Sequence, residues 1–210
     1  MAPLDGFNCM PLLVMARFRR WDDIMALPQP DPALPVSNGM WHYARGLALA
    51  SRGKVAEAQA EVAALEKIAP EMAKVPTGAP GLKNAGIIPK LAAHVVESRI
   101  EWAQGKKDAA IQHVREAVTL QDDMDYTEPP DWFYPTRESL GGLLLQAGRA
   151  AEAEKVFRDD LERNPRNPRS LFGLMQALRA QGREYDAEWV GQQFEAAWKN
   201  ADTKLRVEDL

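Results

Sequence analysis

Four glycines constrain this chain more than any other feature. Gly53, Gly105, Gly148 and Gly182 each close an apolar-periodic stretch, and each is followed five residues later by alanine, at Ala58, Ala110, Ala153 and Ala187. A glycine can end a helix in a positive-φ turn at no steric cost, and an alanine just beyond it lets a returning helix approach closely. Four residues past each alanine stand Val62, Val114, Phe157 and Gly191, and three further on Leu65, Ala117, Asp160 and Phe194. That i, i+4, i+7 spacing is one face of a helix, so the unit is helix, glycine turn, helix. Asp160 and Gly191 break the apolar rule; in the last unit Trp189 and Phe194 are the expected compensation.

Gly148 and Gly182 are 34 residues apart, whereas the two earlier intervals are 43 and 52. The excess falls where insertion costs little. The segment 73–90 contains Pro76, Gly78, Pro80, Gly81, Gly86 and Pro89, and 125–133 contains Pro129 and Pro130; both read as loops between repeats. Counting 34 back from Gly53 lands on Arg19, with Ile24 in the alanine position, so a degenerate first unit begins near Asp5 and its second helix is cut short by Pro28. The proline-dense segment Pro28 to Pro35 predicts an extended connector, with Ser37 capping the next helix. Pro70 and Pro165 are the expected helix stops, and Asn167-Pro168 an expected start. The chain is therefore expected to be one all-α domain over 1–210, a solenoid of five helix pairs near 5–38, 39–72, 91–124, 134–167 and 168–201. Insertions at 73–90 and 125–133 and a frayed tail at 202–210 complete it.

A chain of this length can bury a continuous core. The 26 Lys and Arg and 30 Asp and Glu, net charge −4, are interspersed, which argues against nucleic acid or an anionic membrane as partner. The single cysteine, Cys9, cannot form an intrachain disulfide and is expected as a small buried hydrophobe. The apolar run Met10 to Ala16 is broken by Pro11 and followed by Arg17, Arg19 and Arg20, an order opposite to that of a signal peptide; the expected compartment is cytoplasmic.

The stretch YTEPPDWFYPTRESLGGLLLQAGRAAEAEKVFRDDLERNPRNPRSLFGLMQALRAQGR, Tyr126 to Arg183, resembles the tetratricopeptide repeat (TPR) family and the C-terminal part of a group of bacterial repeat proteins. The resemblance implies a right-handed α-α superhelix whose first helices line a concave groove, binding a protein or peptide partner without catalysis or cofactor. Some family members clamp a partner's C-terminal carboxylate with Lys, Asn and Arg on successive first helices. Here the corresponding positions hold Tyr43 and Leu47, then Val95 and Arg99, so that mode is not expected. Family geometry places Tyr43, Arg99, Trp102, Glu138, Phe172, Gln176 and Arg179 at the groove, with Arg137 at its margin. Trp132, in the aromatic insertion Asp131 to Tyr134, caps one edge or packs between repeats, where Asp131 caps the next helix.

Two other readings compete. Three histidines, His42, His94 and His113, invite a metal reading, and His94 and Glu97 lie three apart on one helical face; with the 131–134 loop they suggest a metal- or small-ligand-binding protein, even an enzyme. His42 and His94, however, occupy equivalent places on neighbouring helices, whose axes lie about 8–10 Å apart, and no cysteine–histidine array, phosphate loop or Gly-x-Ser-x-Gly turn is present; no metal or catalytic residue is assigned. The acidic group Asp122, Asp123, Asp125, Glu128 and Asp131 reads as a solvated loop. Alternatively, the incomplete first unit, with Leu12, Leu13 and Trp21, makes the chain a homo-oligomer or a capping fragment of a longer repeat protein.

Overall fold

Each turn glycine does what its spacing requires. The computed structural model describes residues 5–74 and 84–210, and among them are eleven α-helices and no strand. Gly53, Gly105, Gly148 and Gly182 have φ of 70°, 77°, 77° and 72°. Around Gly53, the N–H groups of Gly53 and Lys54 donate to the carbonyls of Ala50 and Leu49. This closes the preceding helix in a Schellman turn. The same pair of bonds recurs at Gly105, Gly148 and Gly182. The alanines five residues on are fully buried at each hairpin.

The described residues form two compact units, Met1–Tyr134 and Pro135–Leu210. The first begins with α1 (Asp5–Asn8), α2 (Met10–Arg17) and α3 (Trp21–Ala26). Arg19 sits between α2 and α3 at φ 54°, with the same two turn bonds, Arg19 N–H to Ala16 and Arg20 N–H to Met15. The degenerate unit thus keeps the turn while lacking its glycine. Two full hairpins follow: α4 (Pro35–Ser51) with α5 (Val55–Met72), and α6 (Ile88–Ala103) with α7 (Lys107–Asp122).

Two local expectations are corrected here. Ser37 lies inside α4 and is not its cap. The Asp5 carboxylate, far away in sequence, accepts from the Val36 N–H at 2.7 Å, the Ser37 N–H at 2.9 Å and the Ser37 hydroxyl at 2.5 Å, satisfying donors at the helix N-terminus. Pro70 lies within α5, which continues to Met72. Pro76, Gly78, Pro80 and Gly81 lie outside the described residues. Leu12 and Leu13 are buried, while Phe7, Met10, Val14 and Phe18 on the other face of the first helices are exposed.

The second unit stacks α8 (Thr136–Gln146), α9 (Ala150–Arg163), α10 (Pro168–Ala180) and α11 (Glu184–Trp198). Its centre is Phe157, fully buried, whose ring lies over Gly141 of α8 and Gly173 of α10; a Cβ at either glycine would come within 2.3 Å of it. Asp160, expected as an exception, is also fully buried, because hydroxyl and amide donors surround it: Ser170 at 2.5 Å, Asn167 at 2.9 Å and Asn164 at 2.9 Å. The Asn167 amide also donates to Glu138 at 2.9 Å, so a satisfied polar network ties the α9–α10 turn to α8. Gly191 packs on Met175, and Phe194 lies 5.5 Å from Phe172. Trp189 is exposed and compensates for nothing. The tail is not frayed. Residues beyond α11 run extended into a 3-10 turn at Val207–Asp209, which packs on α8.

Candidate functional site

The residues nominated from family geometry fall into two groups. Tyr43, Trp132, Glu138 and Phe172 are buried and hold the fold together. Trp132, Phe133 and Tyr134 pack round Tyr43 of α4, with Trp132 5.4 Å and Phe133 6.3 Å from it in edge-on geometry. Burial, and then the hydrogen-bonded Tyr134 hydroxyl, push the Tyr43 phenol well above its ordinary range. Asp131 caps no following helix; its carboxylate accepts from the Asn84 N–H at 3.0 Å and side-chain amide at 2.8 Å. Asn84 also exchanges bonds with the Asp125 backbone, fastening the aromatic insertion. Arg99, Trp102, Arg137 and Gln176 are half-buried and Arg179 is exposed; the Lys107 ammonium lies 5.6 Å from the Trp102 ring. Cys9 is buried, its thiol pushed up to about 12 by burial and by Asp5, which leaves no nucleophile there.

Two sites emerge that the nominations missed. One is the face shared by α8 and α10. Half-buried Thr203, Leu205, Val207 and Asp209 alternate with exposed Lys204, Arg206 and Glu208, over an extended run to Arg206 and the 3-10 turn that follows it. The Trp198 indole N–H donates to the Thr203 carbonyl at 2.7 Å and the Arg169 guanidinium to the Asp209 carbonyl at 2.7 Å. Leu210, 3% exposed, sits over Gly142, where a Cβ would come within 2.8 Å of it. Adjacent glycines thus open α8 in two directions, Gly141 to Phe157 and Gly142 to the tail. The period-2 pattern of 203–209 was the available sequence signal.

The other is a cluster between α6 and α7. His94 Nδ1 lies 3.1 Å from His113 Nδ1 and 3.4 Å from Glu97 Oε2, and His113 Nδ1 lies 3.1 Å from the same oxygen. All three side chains are half-buried. The hydrogen bond from His94 outweighs burial and holds the Glu97 carboxyl below its usual range, with the charge of the imidazoles adding to it. Sequence reasoning named His94, Glu97 and His113 but did not bring His113 across the hairpin to the other two. The signal was the offset of 19 residues, which carries a side chain across the hairpin: His42 reaches Glu61 over the same offset, at 2.6 Å.

A helical-repeat protein is what this fold and these faces define. Residues 139–201 match the tetratricopeptide repeat family, and the helix hairpins of this chain share a TPR-like fold with solved structures. A segment of 56 residues is 43% identical to an uncharacterized protein of Aquifex aeolicus (strain VF5), spanning 24% of this chain and only 7% of that relative's length. Two crystal structures of a Podosopora anserina putative kinesin light chain with nearly identical TPR-like repeats share the fold. One is 18% identical with TM-score 0.50, covering 91% of this chain and 86% of the other. The second, of a variant of the same protein, is 17% identical with TM-score 0.51, covering 93% and 96%. Repeats of this family generally mediate protein–protein interaction, and the repeat fold is typically non-enzymatic. Among the described residues, no helix is long and apolar enough to cross a membrane.

Proposed function

We propose that this chain is a non-catalytic interaction module that holds an extended segment of a partner protein on the first-helix face of its repeats. One observation carries the reading: the chain's own residues 203–206 run extended into the 3-10 turn Val207–Asp209, which packs on α8, with Leu210 seated at Gly142 and the Asp209 carbonyl held by Arg169 of α10. A face that holds one such segment suits another with alternating inward residues and an aliphatic anchor. Arg137, Gln176 and Arg179 are the accessible side chains proposed to extend recognition within the second unit, and Arg99 and Trp102 on α6 are proposed separately as anchors on the first, since Arg and aromatic residues dominate binding energy. The bacterial setting and cytoplasmic location belong to the same proposal.

Displacing the tail tests it. Leu210→Asp should release the anchor, and a labelled peptide with the sequence of residues 203–210 should then bind the variant chain, measured by fluorescence anisotropy. Adding Arg169→Ala should weaken that binding by about ten- to a hundred-fold, the worth of a charged hydrogen bond. A peptide that ignores the Leu210→Asp chain, or binds it equally well without Arg169, removes the face from consideration.

A further inference from the structure

We propose that His94, Glu97 and His113 form a site for a single divalent transition-metal ion of the zinc class. Nδ1 of His94, Nδ1 of His113 and Oε2 of Glu97 make a nearly equilateral triangle with edges of 3.1, 3.1 and 3.4 Å. In tetrahedral zinc sites, with bonds of about 2.0–2.2 Å, two ligand atoms stand about 3.3–3.5 Å apart. The triangle therefore matches one face of that tetrahedron to within a few tenths of an ångström. Two imidazoles and one carboxylate select a zinc-class ion over calcium or magnesium, which prefer all-oxygen shells.

Protons alone satisfy the triangle badly while Glu97 is ionised. If both imidazoles carry hydrogen on Nδ1 and donate to Glu97, two donors face each other across the third edge. If only one carries it, the bare nitrogen of the other ring faces the carboxylate oxygen. If neither does, lone pairs meet along all three edges. Every arrangement leaves at least one edge repulsive, whereas a cation above the centre satisfies all three.

The preceding hairpin supplies an internal comparison. A shift of 52 residues, the distance from Gly53 to Gly105, carries His42 onto His94, Arg45 onto Glu97 and Glu61 onto His113. In the earlier hairpin the three close as an ion pair, with His42 Nδ1 2.6 Å from Glu61 Oε2 and Arg45 Nε 2.8 Å from Oε1. Its guanidinium fills the place a cation would take. In the later hairpin the same positions hold three ligands and no built-in cation. A cleft of about 240 Å³ lined by Val62, Glu66, Glu97, Ile100, Glu101 and His113 borders the site, giving water access to the remaining coordination position.

The test uses the untagged full chain, stripped with chelator and titrated with Zn²⁺ by calorimetry and with Co²⁺ by visible absorption. One ion per chain should bind, and Co²⁺ should give the intense d–d bands of four-coordination. His113→Ala and Glu97→Gln should each weaken binding by more than the ten- to hundred-fold that a supporting hydrogen bond is worth, and His42→Ala should leave it unchanged. The double change Glu97→Arg with His113→Glu transplants the closed ion pair; it should keep the parent's circular dichroism and bind no Zn²⁺. Failure of the parent to bind Zn²⁺, retention of binding in the transplant, or loss in His42→Ala would overturn the assignment.

Discussion

Arg19 shows how a single residue can carry a turn that its chemistry disfavours. Its φ of 54° places a β-carbon where an L-residue costs roughly 1–2 kcal/mol, in a turn with the same hydrogen bonds as the glycine turns. Glycine at this position removes the clash but frees the unfolded chain by about 0.5–1 kcal/mol. Arg19→Gly is therefore expected to stabilise the protein slightly, raising Tm by about 1–4 °C; a lower Tm would mean that the arginine side chain contributes more than its backbone costs. The position was legible from the period alone, because the 34-residue count locates the turn whatever residue fills it. The cap of α4 was not, since Asp5 reaches Val36 and Ser37 only after folding, and no local pattern links them.

At the scale of the element, the second unit depends on one ring inserted between two backbones. Phe157 of α9 approaches α8 and α10 where Gly141 and Gly173 expose their backbones, so a methyl group at either position must push a fully buried ring. Overpacking of this kind costs about 1–3 kcal/mol. Gly141→Ala should lower the urea midpoint accordingly, and Phe157→Leu combined with it should recover part of the loss, giving the non-additivity expected of touching groups. Additive midpoints in the double variant would show that the strain is relieved elsewhere. Sequence periodicity placed Phe157 and Gly141 in the right helices. It could not show that ring and glycine meet, nor that Asp160, out of place in an apolar stripe, gains donors from Ser170, Asn167 and Asn164.

For the whole molecule, hairpin architecture was legible because glycine, alanine and proline report backbone requirements directly, whereas binding faces depend on which side chains survive packing as accessible groups. Tyr43 and Trp132 read as groove aromatics in sequence and are consumed by the insertion they anchor. Charge follows the same logic, and acid should reveal it. Burial pushes the Glu61 carboxyl upward, but hydrogen bonds from His42 and Arg45 outweigh it and lower its pKa; Glu154 is likewise pushed up by burial and brought lower by Gln181, Arg158 and Arg183. A carboxylate with a depressed folded-state pKa contributes stability that is fully present above its unfolded value, about 4.3 for glutamate. That contribution is lost as pH falls through the lower folded values. Stability from these groups should therefore hold from neutral pH to just above 4 and decline below it. Glu61→Gln and Glu154→Gln should each flatten the decline, measured as the urea midpoint against pH. An unchanged slope in both variants would assign the acid sensitivity to other carboxylates.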